Sequence, residues 1–393
     1  MRIFNTLLIS SLLLASCSDS DEQNYVSCHT DVAMPEGIEA AALTAPHFTF
    51  TNLSDGRSSN YDGTVVDATL LPGLYDVSFT ADAVLDNGAK AVVRASRQSV
   101  DVTTDCTVNL EAYVLTSSDD LIISEIFYTG TLQSSGKAYT GDQYIKLYNN
   151  TDHTLYADGL TIFETLFLTT QKFEYTPDVM ADAVAVDALY TIPGSGKDYA
   201  VEPGAELLIS DIAINHRELN PNSMDLSKSD FEWYDESSNP KFADVDNPAV
   251  PNLDKWYCYT NTIWQLHNRG YKGYGVARIP MDKDTYLAQK KYDCTYTMVT
   301  NAGSFPMKKS GYTIDNAWIS DFVTLSEEAA YQWQVSASSL DCGWATCGIA
   351  GPTTRYGKAV KRKVVATENG RDILADTNNS TADFISDATP SEL

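Results

Sequence analysis

The strongest constraint on the fold is a series of short segments between residues 47 and 115 in which apolar and polar residues alternate. The segments are HFTFTNL, GTVVDATL, GLYDVSFTADAVL, KAVVRASRQSVDV and CTVNLEAYVL. Asn, Gly and Asp separate them, and none shows the helical period of about 3.6 residues. Alternation is typical of strands with one buried face. Residues 25–115 are therefore predicted to form a small antiparallel β-sandwich, and the all-β class is expected for the whole chain.

The 393-residue length indicates more than one domain, and the pattern changes near residues 115–120. A second domain is predicted over residues 119–393. Its segments also have strand character, but long turn-rich stretches separate them. We therefore expect two β-sandwich domains, the second enlarged by insertions.

The N-terminus has the features of a targeting segment. The apolar run Ile3–Leu14 is shorter than the ~20 residues of a membrane-spanning helix but has the length of a signal-peptide core. The order Leu14-Ala15-Ser16-Cys17 resembles the lipobox of bacterial lipoproteins, which implies a signal peptide over 1–16 and a lipid on Cys17. An ordinary secretory signal is the alternative.

Residues 17–24 are polar and acidic and are predicted to be an unfolded tether. Such an acidic patch after the cysteine resembles the signal that sends lipoproteins of Bacteroides-like bacteria to the outer face of the outer membrane. This resemblance implies a lipid-anchored protein of the outer membrane that faces the cell exterior.

The charge limits the possible partners. Cleavage after Ser16 removes only Arg2 among the charged residues, which leaves 26 basic and 53 acidic residues and a formal charge of −27. So acidic a surface repels phosphate backbones and anionic headgroups. No nucleic-acid partner is expected, and the lipid is expected to provide the membrane attachment.

Six cysteines remain besides Cys17, an even number in a chain with an export signal, so disulfides are expected. If each domain closes on itself, Cys28 pairs with Cys106. Three pairings then stay open for the other four: Cys258, Cys294, Cys342 and Cys347. Zinc binding by Cys342 and Cys347 is the alternative, but no second pair at zinc spacing follows, and no metal is expected.

The stretch ATLLPGLYDVSFTADA resembles the strand entry of prealbumin-like and collagen-adhesin B-type domains. The resemblance implies a turn at Pro72-Gly73 and an inward-facing Tyr75. Adhesin domains of that type often carry a lysine-to-asparagine isopeptide bond. The first lysine of this chain is Lys90, late in the domain. A disulfide from Cys28 to Cys106, joining the first strand to the last, is the expected cross-link instead.

Four later phrases resemble the lamin-tail domain, an immunoglobulin-like sandwich of bacterial surface proteins. They are Ser124-Glu125, Tyr144 to Asn149, Pro203-Gly204 and Asn379 to Phe384. Lys146 replaces the glutamate usual in that family. The combination of lipobox, small sandwich and enlarged lamin-tail-like domain resembles the lipoproteins of domain of unknown function 4876, a resemblance that implies no activity.

The insertion over residues 217–283 is long, aromatic and rich in turn residues, and loops of this length are usually functional or disordered. A candidate ligand face, for sugars or a porphyrin-like compound, consists of Trp256, Tyr259, Trp264, His267, Arg269, Tyr271 and Tyr274. Core packing of the segment competes with this interpretation. We expect Trp264 to be core, and Tyr271 and Tyr274 to tolerate substitution.

Two charged patterns have simple interpretations. The acidic sets Asp244, Asp246, Asp254 and Asp225, Asp230, Glu232 could offer oxygens to calcium, but neither has an EF-hand pattern, so solvated loops are favoured. The basic run consists of Arg355, Lys358, Lys361, Arg362 and Lys363, and the alternation in KAVKRKVV predicts a strand with a basic polar face. We expect these charges to pair with the protein's own acidic loops, and a patch for an acidic partner is the alternative.

No motif of a serine hydrolase, zinc protease, nucleotide-binding loop or cysteine protease is present, so no enzyme activity and no cofactor are expected. The predicted function is a non-catalytic surface lipoprotein that captures a ligand or assists a TonB-dependent transporter. A structural or adhesive module is the alternative. A glycan-acting enzyme with paired carboxylates is the third and least favoured interpretation.

Overall fold

The structure, a computed structural model, describes residues 24–35, 37–116, 119–348 and 354–393, and it confirms the all-β class. The signal peptide, Cys17 and the tether up to residue 23 lie outside the described residues. No helix within the described ranges is long and apolar enough to cross a membrane.

The first eight strands form a sandwich of two sheets, as predicted. They are β1 (Val26–Ala33), β2 (Thr44–Asn52), β3 (Ser58–Asp62), β4 (Val65–Leu70), β5 (Leu74–Val84), β6 (Lys90–Asp101), β7 (Cys106–Glu111) and β8 (Tyr113–Thr116). One sheet has the order β4-β1-β7 and the other β3-β2-β5-β6-β8. Phe48, Phe50 and Phe79 fill the space between the sheets and are at most 1% exposed. Within this sandwich the expected purely antiparallel pairing is wrong for one pair of strands, because β1 and β7 run parallel.

The turn into β5 has the predicted form. The amide and carbonyl of Gly73 both bond to Val102, and Tyr75 is 4% exposed with its hydroxyl donating to the carbonyl of Leu71. Proline fixes φ before the strand, and the tyrosine then points inward because side chains alternate along a strand.

The remaining strands form a larger sandwich. They are β9 (Ile122–Phe127), β10 (Thr131–Leu132), β11 (Ala138–Tyr139), β12 (Tyr144–Tyr148), β13 (Leu155–Tyr156), β14 (Leu160–Thr165), β15 (Ala183–Thr191), β16 (Ala200–Val201), β17 (Glu206–Ser210), β18 (Phe231–Glu232), β19 (Asp254–Cys258), β20 (Gly273–Arg278), β21 (Lys291–Thr300), β22 (Gly303–Asp315), β23 (Ile319–Thr324), β24 (Ala359–Arg362), β25 (Val364–Glu368), β26 (Arg371–Leu374) and β27 (Phe384–Ala388). Two short helices are α1 (Lys283–Gln289) and α2 (Ser380–Asp383).

One face of this sandwich is the sheet β18-β17-β12-β9-β24-β27, in which β17 and β18 run parallel. The other is β21-β22-β15-β14-β20-β23, with β19 also paired to β15. Buried side chains from both sheets, including Ile126, Ile162 and Val323, meet in one core cluster. Many strands are buried along their whole length, including β9, β12, β14 and β15.

The four lamin-tail-like phrases lie in or next to the same sheet, on β9, on β12, at the turn before β17 and at α2–β27. Lys146 points into a buried position and pairs with Glu206 at 3.3 Å and Glu392 at 2.6 Å. The lysine that replaces the usual glutamate is thus matched by acids of this chain.

The two sandwiches meet at β8 and at the hairpin of β25 and β26. Tyr113, Leu115 and Ile373 form a buried apolar cluster across the junction. Polar contacts continue it: the amide of Thr116 donates to the carbonyl of Asp376 at 2.6 Å, and the Gln98 amide donates to Asn369 at 2.8 Å.

Internal pairing of the basic run is confirmed at two positions. Arg362 is 3% exposed, and its guanidinium contacts the carboxylates of Asp321, Asp376 and Asp383. Lys358 pairs with Asp387 at 3.3 Å nearer the surface.

Candidate functional site

The predicted ligand face does not exist as one surface, because two of its aromatic residues lie in the core. Trp264 is 0% exposed and stacks on Tyr190 with ring centroids 4.8 Å apart, so its assignment to the core is confirmed. Tyr274 is also 0% exposed. The expectation that Tyr274 tolerates substitution is wrong, because β20 is an interior strand between β14 and β23.

The remaining members of that set lie apart. Tyr259 and Arg269 are exposed, whereas Trp256 is half-buried against Tyr286 of α1. His267 stacks on Tyr271 at 4.9 Å, and burial lowers the pKa of its imidazole to about 4. The half-buried ring of Tyr271 is held by its hydroxyl, which donates to Glu327.

A different group of aromatic residues does form a concave surface, here called the aromatic pocket. Its volume is about 390 Å³. The lining includes the rings of Phe167, Phe173, Tyr175 and Trp333. Tyr296 of β21 packs behind it, 4.7 Å from Phe173 and 5.2 Å from Tyr175.

The rings of the aromatic pocket support one another. Tyr175 stacks on Phe167 at 3.9 Å and lies nearly parallel to Trp333, at 5.9 Å and 24°. The indole Nε1 of Trp333 donates to the carbonyls of Leu168 and Gln171. Offset and edge-to-face contacts of this kind hold aromatic side chains in fixed orientations, so the pocket is formed before any ligand arrives.

Three distant segments build the aromatic pocket: the connection between β14 and β15, strand β21 and the segment after β23. The first is fixed to β21 because Thr176 and Thr295 exchange two backbone hydrogen bonds of 2.9 Å. It is fixed to the third because the amide of Gln332 donates to the carbonyl of Thr169 at 2.9 Å. The shape therefore depends on backbone pairing as well as on side chains.

The rim of the aromatic pocket is polar. Lys172, Glu174 and Asp178 line it and are exposed, while the Gln334 amide is already used on the carbonyls of Asp341 and Gly343. Flat apolar walls with a few polar groups are typical of small-molecule sites. Our sequence reasoning missed this site. The available signal was the alternation of Phe173 and Tyr175 in KFEYT.

A larger cleft of about 920 Å³ lies at the junction of the two sandwiches. Its charged groups are largely engaged with the protein itself: Arg278 binds both oxygens of Asp120, at 2.6 and 2.9 Å. The Lys290 ammonium lies 4.4 Å from the ring centre of Trp318 on the cleft wall. These groups would have to leave existing partners to bind a ligand, which makes the cleft the weaker candidate.

The structure places Cys28 and Cys106 opposite each other on the neighbouring strands β1 and β7, which come first and last along the chain among the strands of their sheet. Their Sγ atoms are 3.3 Å apart, in contact but beyond the ~2.05 Å of a disulfide bond. Both are free thiols here, so the disulfide stays a prediction.

The surroundings of the other four cysteines differ from one another. Cys258 lies near Tyr190, Cys347 near Tyr128, Cys342 near Asn87, and Cys294 lies in a buried apolar cluster.

The acidic loops bind the chain's own N–H groups. Glu232 accepts from the amides of Ala213 and Asn247, and Asp244 accepts from the amide of Asp235. Within the described ranges, no three His, Cys, Asp or Glu residues are grouped so as to hold a metal ion.

Comparison with known proteins supports the resemblance found in the sequence. Residues 202–391 match the family described as protein of unknown function (DUF4876). The fold is similar to that of a DUF4876 family protein from Bacteroides thetaiotaomicron, with a TM-score of 0.61 and 21% identity over 93% of this chain and 96% of that one. The predicted family resemblance is thus confirmed. No curated protein matches the chain.

Proposed function

We propose that this chain, whose residues 202–391 match the DUF4876 family, is a non-catalytic surface lipoprotein that captures a ligand in the aromatic pocket. One observation carries the proposal: rings from separate segments converge on a preformed concave surface with a polar rim. A protein that served only as a spacer or adhesive stalk would not need such a surface.

The chemistry of the aromatic pocket indicates the ligand class. The formal charge of −26 disfavours anionic ligands, and flat apolar rings favour a ligand with flat apolar faces. Sugar rings have such faces, and their hydroxyl groups can bond to the carboxylates of Glu174 and Asp178 and to the Lys172 ammonium. The volume of about 390 Å³ lies in the range of roughly 300–1,000 Å³ common for small-molecule sites. We therefore propose an uncharged oligosaccharide.

Binding without catalysis fits the same geometry. Glycosidases keep their general acid in an apolar or buried setting that holds the proton at neutral pH. Glu174 and Asp178 are instead both exposed. In the proposed role the protein holds the sugar at the outer membrane and passes it to a TonB-dependent transporter. A structural or adhesive module remains the alternative function.

Substitution in the aromatic pocket is expected to weaken sugar binding by a factor of ~30 or more without unfolding the protein. Phe173→Ala and Tyr175→Ala remove half-buried rings, and a central binding aromatic contributes ~2 kcal/mol or more, which is ~30-fold in Kd. A glycan microarray with the whole chain would identify the probe, and titration calorimetry would then compare variants.

The matched control for sugar binding is Trp344→Ala. Trp344 is half-buried and stacks on Tyr331 at 5.3 Å, outside the aromatic pocket. Its loss should leave Kd unchanged. Wild-type protein that bound no glycan, or variants at positions 173 and 175 with wild-type affinity, would contradict the proposed function.

Lipid attachment is tested separately. Cys17→Ser is expected to abolish fatty-acid labelling and to leave the chain soluble or unprocessed, because the thiol is the acylated group in the proposed lipoprotein. Metabolic labelling with a palmitate analogue and membrane fractionation measure this, with Cys28→Ser as the control that keeps its label. Undiminished membrane association of Cys17→Ser would contradict the anchor.

A further inference from the structure

Three ionisable side chains with no part in the aromatic pocket meet deep inside the second sandwich. The Lys272 Nζ lies 2.8 Å from Asp187 Oδ2 and 3.4 Å from Glu164 Oε1. All three side chains are at most 8% exposed. The same Nζ donates to the carbonyl of Thr165 at 2.6 Å, and Tyr274 donates to Glu164 Oε2 at 2.7 Å.

Neighbouring strands create this arrangement. Glu164 is on β14, Asp187 is on β15 and Lys272 immediately precedes β20. The pairing of β14 with β15 shifts register between Glu164 and Thr165, and Asp187 falls at this irregularity. A β-bulge re-aims the side chain next to it. Here the Asp187 carboxyl points toward Lys272, which lies next to β20 on the other side of β14.

As a set of separate ions, the cluster is poorly compensated. It contains two carboxyls and one ammonium away from water, and Asp187 Oδ1 has no hydrogen-bond partner among the residues that the structure describes. Buried ions keep a desolvation cost that the attraction between them offsets only when every polar atom is satisfied. Joining Lys272 to Asp187 would remove two buried charges.

We propose that Lys272 and Asp187 become covalently joined by an isopeptide bond between Nζ and Cγ, with Glu164 as the proton-transferring residue. The product is an intramolecular cross-link between β15 and β20 across β14. This modification concerns the stability of the fold and is independent of the proposed sugar capture.

The chemistry needs no additional reactant. The ammonium gives one proton to a carboxylate oxygen of Asp187. The neutral Nζ then attacks Cγ of the protonated carboxyl group. Glu164 takes a second proton from the nitrogen and gives it to the departing hydroxyl, which leaves as water. One N–C bond forms and one C–O bond breaks, and Glu164 ends in its starting state. Fixed proximity corresponds to an effective concentration of ~10⁵ M or more.

The electrostatics are compatible with these proton transfers. Burial raises the pKa of the Asp187 carboxyl above its usual range. Burial also raises the pKa of Glu164, to about 7, so both acids hold protons more readily than exposed ones. Desolvation acts to lower the pKa of Lys272, but the neighbouring carboxylates outweigh it and the net shift is upward. The ammonium is therefore the resting form of Lys272, and the proton transfer to Asp187 Oδ2, 2.8 Å away, has to precede the attack.

Trypsin mapping of denatured wild-type protein tests the bond directly. Trypsin cuts after Lys172 and Lys197 and after Arg269 and Arg278, so the cross-link would join peptide 173–197 to peptide 270–278. The expected species has the summed mass of the two peptides less one water. Cleavage after Lys272, with peptide 273–278 released in full amount, would overturn the proposal.

The same digest contains a control for simple proximity. Lys290 Nζ lies 2.7 Å from both oxygens of Asp315, but that pair is partly solvent-exposed. Lys290 should stay unlinked and cleavable. Glu164→Gln is expected to release peptide 273–278, and Lys272→Arg should give no linked species. A linked species that persisted unchanged in Glu164→Gln would overturn the assigned role of Glu164. The wild-type map decides the bond even if a variant fails to fold.

Discussion

Replacement of Arg362 by methionine is expected to lower the free energy of unfolding by about 3–5 kcal/mol, because it leaves buried carboxylates without their cation. The guanidinium donates to Asp321 at 2.6 and 2.7 Å and to Asp376 at 3.3 Å. It also donates to the carbonyls of Ile123 and Ala375, each at 2.7 Å. One side chain thus ties β9, β23 and the chain after β26 together.

The loss would also reach the domain junction. Asp376, which Arg362 holds, accepts from the hydroxyl of Thr116 at the end of β8. Burial already raises the pKa of Asp376 to about 7 despite the nearby guanidinium. Without Arg362 this carboxyl would be driven further toward its neutral form and would bind β8 less strongly.

Urea unfolding followed by circular dichroism measures the effect of Arg362→Met. Lys358→Met is the matched control, because Lys358 and Asp387 are 34% and 44% exposed, and exposed pairs contribute ~1 kcal/mol or less. Equal stability losses in the two variants would show that burial of the arginine cluster is unimportant.

Truncation of Trp264 to alanine is expected to cost ~3–5 kcal/mol, since it opens a large cavity in the core. The ring is 0% exposed and lies 4.8 Å from Tyr190 and 5.2 Å from Trp233. Its backbone amide donates to Asp235 at 2.7 Å and would still do so in the variant. The loss therefore reports packing of the indole.

Phe242→Ala is the control for this substitution. Phe242 belongs to the same 217–283 insertion but is 55% exposed, and surface substitutions usually change stability by ~0.5 kcal/mol or less. Urea unfolding of both variants should separate them clearly. A Trp264→Ala variant as stable as Phe242→Ala would mean that the insertion is not integrated into the core.

Local sequence was enough to predict the first sandwich. Alternation at period two places every second residue inside, and the strands that carry Phe48 and Tyr75 follow that pattern. The turn at Pro72-Gly73 depends on neighbouring residues alone and was also predictable. The parallel pairing of β1 with β7 was not, since strand direction depends on how the chain returns across the sheet.

In the second sandwich the sequence determined the strand character but not the site. The glycines and charges near Tyr274 predict a surface position. Strand β20 is instead buried on both faces, where alternation carries no information about exposure. The aromatic residues of 217–283 form a candidate ligand face in the sequence because they are close to one another along the chain. Those that form the aromatic pocket are far apart in sequence: long-range backbone pairing brings Tyr175 and Trp333 to within 5.9 Å of each other.

What the sequence alone determined is whatever depends on neighbouring residues: the all-β class, the turn into β5, the acidic charge and the family resemblance. The tertiary structure decided which charges and rings meet. Glu164 and Asp187 lie on two strands and Lys272 just before a third, and nothing in their local surroundings marks them as partners. The physical reason is that a strand pattern fixes the alternation of side chains, whereas strand order, register and bulges determine which of them share a buried space.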